Sequence, residues 1–200
     1  ENNAVPTIGS CAMLGTANTM CCLAEVMGIS LPGSATIPAV YSRRQGIAFE
    51  SGKAVMNLLK KDICIKDIIT KDAILNAIKV NSAIGGSTNA VLHLLAIAYE
   101  ADVDLDIFEF GKVSMSVPHM VPMIPAGQYT LLDFYEAGGI PVMMKELATI
   151  LDLNGITCTG CTSKENIEKF QNKNPDVIRS FKNPVHSRGG IAVLKGNVAP

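Results

Sequence analysis

The run Gly9-Ser10-Cys11-Ala12-Met13-Leu14-Gly15-Thr16-Ala17-Asn18-Thr19-Met20-Cys21-Cys22 places three of the chain's six cysteines within twelve residues, two of them adjacent. From Thr16 to Gly28 apolar residues recur at helical spacing (Met20, Leu23, Ala24, Met27), and Gly28 offers a C-terminal stop. Cys21 and Cys22 fall inside this helix, where a free cysteine packs as a small hydrophobe. Cys11 differs. It sits in a Gly-Ser-Cys turn ahead of the helix, whose N-terminal amides and dipole favour a thiolate. One cysteine is not a site, so metal or redox use of Cys11 stands beside the reading of an ordinary thiol.

Outward from this stretch the pattern is helix-rich α/β. Pro32-Gly33 marks a turn, and a second helix is expected over residues 39–61. Residues 72–80 form another, with Ile74, Ala77 and Ile78 on one face. Gly85-Gly86-Ser87-Thr88-Asn89 leads into an apolar helix ending near Glu100, with Ser87 or Thr88 as N-cap. A short helix follows over 106–114, then a proline-containing loop with a strand candidate at 120–124. Residues 130–137 and 141–151 read as helices hinged at Gly138-Gly139, with Pro141 suited to a first turn. Beyond Gly155 the expectations are a short strand at 156–159, a polar helix at 163–171 and a β-like run at 191–194. A strand so close to the last residue predicts that the sequence is part of a longer one.

Hydrophobic residues make up 48% of the 200 and charged residues 18%, so solvated faces are few, and surface is left for another segment or subunit. A net charge of −1 gives no electrostatic case for nucleic acid or an anionic membrane. No apolar run reaches the roughly 18 residues of a spanning helix. The start Glu1-Asn2-Asn3 has no basic n-region, so a cytoplasmic protein with reduced cysteines is expected.

The remaining motifs each have a plain reading. Cys158-Thr159-Gly160-Cys161 has Cys-x-x-Cys spacing but no second pair, so it is read as structural and metal-free. Cys64 and His93 are read as packed residues. The run Asp102-x-Asp104-x-Asp106 lacks the glycine and distal glutamate of a calcium loop and is read as a solvated loop. The Gly85–Asn89 loop is either a simple helix cap or an anion site for a carboxylate or phosphate; it is not a P-loop.

Taken in order, these segments resemble one family. Gly9-Ser10-Cys11, Gly15-Thr16-Ala17-Asn18-Thr19-Met20 and Ser30-Leu31-Pro32-Gly33 resemble the dihydroxy-acid dehydratase/phosphogluconate dehydratase family. So do Gly85-Gly86-Ser87-Thr88-Asn89-Ala90-Val91-Leu92-His93-Leu94, Ala137-Gly138-Gly139-Ile140-Pro141, and the closing run from Gly189-Gly190-Ile191 to Gly196-Asn197-Val198-Ala199-Pro200.

The resemblance implies a lyase that dehydrates a 2,3-dihydroxy acid or a sugar acid to a 2-keto acid. It implies an iron–sulfur cluster, 2Fe-2S or 4Fe-4S, held by three cysteines beside a magnesium ion. One iron without a protein ligand acts as Lewis acid on the departing hydroxyl, and a serine in the later domain takes the C2 proton. Cys11 matches the third cluster cysteine, whereas Cys21 and Cys22 match none. The small-residue loop aimed at a helix N-terminus makes Ser87, Thr88 and Asn89 the substrate-binding candidates, against plain capping.

The family's Cys-Asp-Lys segment, its magnesium-binding Asp-Lys segment and its late glutamate and serine have no counterpart here. The resemblance therefore covers the family's middle portion. Residues 1–184 are expected to be part of a three-layer α/β/α N-terminal domain, and 185–200 a linker with the first strand of a β-rich, barrel-like C-terminal domain. The Gly-Asn-Val-Ala-Pro ending favours the dihydroxy-acid dehydratases of branched-chain amino-acid synthesis. Gly85-Gly86-Ser87 and Pro125-Ala126-Gly127-Gln128-Tyr129 look more like the sugar-acid enzymes. Implied as well are a small-molecule hydroxy-acid substrate, a homodimer in the complete enzyme, and no activity in this chain by itself. The rival reading is a non-catalytic α/β module that binds a partner.

Overall fold

Helix α1 runs over Thr16–Val26 and buries Asn18, Thr19, Cys22, Leu23, Glu25 and Val26. A computed structural model describes residues 9–198. Glu1-Asn2-Asn3, and the Ala199-Pro200 that closes the last matched motif, lie outside the described residues. The apolar spacing of the sequence is reproduced in α1, and Gly28 ends the turn with φ +82°.

At the centre lies α4 (Lys71–Ile84), introduced after α2 (Arg43–Lys60) and the single turn α3 (Ile65–Ile68). Thr70 caps α4, its hydroxyl accepting from Ala73 N at 3.2 Å. The helix passes the expected end at residue 80 because Asn81 and Ser82 continue it while buried, Ser82 Oγ donating to Ile78 O at 3.0 Å. It stops at Gly85, whose φ of +65° suits glycine and whose missing Cβ leaves room for His119 Nε2. Packed around α4 are α1, α5 (Asn89–Glu100) and α6 (Phe108–Ser116). The rest is α7 (Leu131–Ala137), α8 (Gly139–Glu146) and α9 (Ser163–Ile167), with α8 against α1, α7 and α9. Thr130 and Asp133 form a capping box for α7, and Thr162 and Glu165 one for α9.

The helices fall where the sequence pattern places them, although α8 ends at Glu146 and α9 at Ile167, short of the expected 151 and 171. The expected strands do not become a sheet. Among the described residues there are only isolated bridges, His119 with His186, Met123 with Tyr129, and Ile156 with Thr162. In the segment 120–124 Met120, Val121 and Met123 are buried, yet only Met123 bridges, to Tyr129, instead of joining a ladder. The run 191–194 buries Ile191 but leaves Leu194 89% exposed, and it pairs with no strand. A strand exists only through its partner's N–H and C=O groups. The architecture of the described residues is thus helical, without the layered sheet. Residues 185–190 dock on the helices by main-chain bonds, Gly189 N to Ser114 O at 2.8 Å and Gly190 N to Ser82 O at 2.9 Å.

Helix α2 stands apart. It begins at Arg43, later than the expected start at 39, and buries only Ile47. Phe49, Val55, Met56 and Leu59 face outward.

Candidate functional site

The first turn of α1 holds two neighbouring loops. On one side is the Cys11 turn. The buried Asn18 carboxamide donates from Nδ2 to Cys11 O and to Met13 O, each at 2.7 Å, while Ser10 Oγ donates to Asn18 Oδ1 at 2.5 Å. Leu131 N donates to Ala12 O at 2.8 Å, and Leu14 N to Ile124 O at 2.9 Å. Cys11 itself is exposed, on a turn fastened at its backbone, with its Sγ donating to Met13 O at 3.9 Å.

On the other side is the loop into α5. Ser87 N donates to Thr19 Oγ1 at 3.0 Å, and the Ser87 and Thr16 hydroxyls share a 2.9 Å hydrogen bond. Asn89 Nδ2 donates to Thr16 Oγ1 at 2.9 Å, and Asn89 N donates to Ser87 Oγ at 3.2 Å. The N-terminal end of α5 is therefore tied by side chains to that of α1. The dipoles of the two helix starts favour an anion such as a carboxylate. The first three amides of α5 are already bonded, Asn89 N to Ser87 Oγ, Ala90 N to Ser87 O and Val91 N to Thr88 O. Thr88 occupies the N-cap position but makes no capping bond with its side chain; the Ser87 hydroxyl does that work.

Beneath this loop Gly86 allows close packing, since a Cβ there would collide with Asn81 Oδ1. Asn81 Nδ2 and Oδ1 and His119 Nε2 are buried without hydrogen-bond partners among the described residues. His119 stacks on His186 at 5.6 Å, and burial holds its imidazole below the ordinary histidine value.

The other cysteines separate cleanly. Cys22 is fully buried, and burial, reinforced by the charge of Glu25, pushes its thiol well up. Cys21, expected to pack, is instead exposed, because its position points away from the α4 side of α1. Cys64 was likewise expected in the core; it lies exposed at the N-cap of α3, where Asp67 Oδ2 accepts from its backbone N–H at 2.8 Å. His93 is also exposed, on the outer face of α5, and not packed. Cys158 is half-buried with its thiol pushed up to about 11, chiefly by burial, and Cys161 is exposed. The Asp102, Asp104 and Asp106 side chains lie in solvent, as expected.

Two buried polar residues of α1 were not singled out by the sequence. Asn18 breaks the apolar repeat of its helix at the third position, and Glu25 interrupts the run Leu23-Ala24-Glu25-Val26. That interruption was the available signal.

Among the described residues no group of three His, Cys, Asp or Glu side chains could hold a metal ion. Four thiols are exposed, Cys11, Cys21, Cys64 and Cys161, and of these Cys11 alone stands on the turn bonded to the start of α1. That suits a single ligand position and not a whole site.

A thiol-bearing turn and a hydroxyl–amide loop meet on the starts of α1 and α5 in a helical domain. The sequence profile described as dihydroxy-acid/6-phosphogluconate dehydratase N-terminal matches residues 1–166, and the chain belongs to that family. All of the chain aligns with proteins named dihydroxy-acid dehydratase. It is 48% identical over 202 residues to the one from Halothermothrix orenii, covering 37% of that protein. It is 50% identical over 202 residues to that from Clostridium beijerinckii, covering 36%. The figures for Acidothermus cellulolyticus are 48% over 204 residues and 37%. The chain thus spans little more than a third of the length of these relatives. No helix of the described residues is long and apolar enough to cross a membrane.

Proposed function

We propose that the chain is the cluster-binding and substrate-facing part of an iron–sulfur, magnesium-dependent hydro-lyase. Its reaction converts a 2,3-dihydroxy acid to a 2-keto acid in branched-chain amino-acid synthesis. The observation that carries this reading is the exposed Cys11 thiol on a turn anchored to the same helix start as Ser87 and Asn89. The names of the relatives favour a dihydroxy acid over a sugar acid.

When bound, the cluster supplies an iron that acts as Lewis acid toward the departing hydroxyl. Cys11, as thiolate, is one of its ligands. The Ser87 hydroxyl, the Asn89 amide and the positive end of the α5 dipole orient the substrate carboxylate, with Thr88 at the rim. The other cluster cysteines, the magnesium ligands and the proton-accepting serine belong to the rest of a longer protein, a cytoplasmic homodimer.

Replacing Cys11 by serine in the complete enzyme tests this. A serine hydroxyl stays protonated near neutral pH and is a poor donor to iron, so the visible cluster absorbance and essentially all dehydratase activity should disappear. Cys21→Ser and Cys22→Ser should keep both, the latter at a stability cost of up to about 3 kcal/mol for a buried hydroxyl without a partner. A Cys11→Ser enzyme that retains its cluster would overturn the reading of Cys11 as a cluster ligand.

A further inference from the structure

We infer that Asn18 is the positioning residue of Cys11, holding the turn from which the thiol reaches the cluster; this rests on the reading of Cys11 as a cluster ligand. Asn18 is 2% exposed, and its carboxamide is fully used. Both N–H groups go to carbonyls of the turn and the oxygen takes the Ser10 hydroxyl. Among the described residues its Nδ2 is the sole hydrogen-bond partner of the Cys11 main chain. The bonds from Leu131 and Leu14 hold only the residues further along the turn.

The chemistry selects asparagine. Two carbonyl acceptors and one hydroxyl donor require two donors and one acceptor on a short planar group. Aspartate would set an oxygen against two carbonyl oxygens, serine has one donor, and glutamine is a methylene too long. Asparagine is also a poor residue for a helix interior, so its place there is explained by what it holds. Groups that orient a metal ligand without touching the metal typically change metal affinity by on the order of 10- to 100-fold when removed.

The test uses the complete, reconstituted protein with Asn18→Ala, Asn18→Asp and Ser10→Ala. Ile167→Ala, in the core under α9, serves as a control for lost stability. Iron release to a chelator and the visible circular dichroism of the cluster are measured. Both Asn18 variants should release iron on the order of 10- to 100-fold faster than wild type, with altered cluster dichroism. Ser10→Ala, which removes one bond at an exposed residue, should lie between them and wild type. Ile167→Ala should keep the wild-type dichroism and release rate despite a lower melting temperature.

Wild-type release and dichroism in Asn18→Ala, with Cys11→Ser clusterless, would overturn this inference and leave the proposed function standing. If the Asn18 variants do not fold, Ser10→Ala decides, and a wild-type release rate there overturns it. A cluster retained in Cys11→Ser would instead remove the proposed function beneath it.

Discussion

Glu25 is the residue whose surroundings have the plainest thermodynamic consequence. Its two carboxylate oxygens accept from Gly33 N at 2.7 Å and Ala35 N at 2.8 Å, yet it is 6% exposed and no cation bonds to it among the described residues. Burial outweighs the two donors and raises its pKa from 4.5 to about 7. Between those values the folded protein binds a proton that the unfolded chain has released, so stability falls as pH rises. Above the folded value the loss is complete, about 3 kcal/mol. Glu25→Gln cannot titrate. Denaturation midpoints of the full-length protein at pH 4.5 and 8 should therefore fall further in wild type than in Glu25→Gln; a difference between the two that does not change with pH would contradict this. Neither Glu25 nor Asn18 was legible in the sequence as a functional or structural anchor. A polar residue inside an apolar helix gives a position, but its partners arrive from residues 8–10 away in the chain or from the preceding turn.

At the level of elements, several helix starts were legible, those expected at 72, 130 and 163 lying within one residue of Lys71, Leu131 and Ser163. Ends were not: α4 runs past 80 to Ile84, α8 stops at Glu146 and not 151, and α9 at Ile167 and not 171. Thr70, Thr130 and Thr162 cap α4, α7 and α9, and Gly28 and Gly85 end α1 and α4. The runs at 120–124, 156–159 and 191–194 were not strands, since β-like composition does not provide a partner. The turn α3 went unseen at four residues, too short for periodicity to register. The α5 start combines both lessons. The Gly-Gly-Ser-Thr-Asn signature announced a cap, whereas the bonds from Ser87 and Asn89 to Thr16 and Thr19 exist only in the fold. Because Asn89 is exposed and its amide reaches only Thr16, Asn89→Ala should lower the melting temperature of the complete enzyme by no more than ~2 °C, on the order of 0.5 kcal/mol. Its turnover should fall by on the order of tenfold or more. Comparable losses in both, or in melting temperature alone, would make the loop a cap and nothing else.

For the whole molecule, stability is unevenly distributed. Nearly every residue of α4 from Ile74 onward is buried, and α1, α5 and α6 close around it. The longest helix among the described residues, α2, contributes one buried side chain over 18 residues. It is held at its ends, by Arg44 Nη1 to Ser34 O at 3.1 Å, Asn57 Nδ2 to Thr159 O at 3.2 Å and Lys61 Nζ to Gly160 O at 3.0 Å. Unfolding its middle would uncover little apolar area while releasing the entropy of many residues, so its opening free energy must lie far below that of α4. In amide exchange of the 200-residue chain, peptides from the middle of α2 should exchange at least about tenfold sooner than those from α4, and equal protection would mean the two open together. Length and cooperativity are then decoupled. The helix that dominates the outline acts as an outrigger, and the unit that melts as one body is the shorter α4 with the helices packed around it.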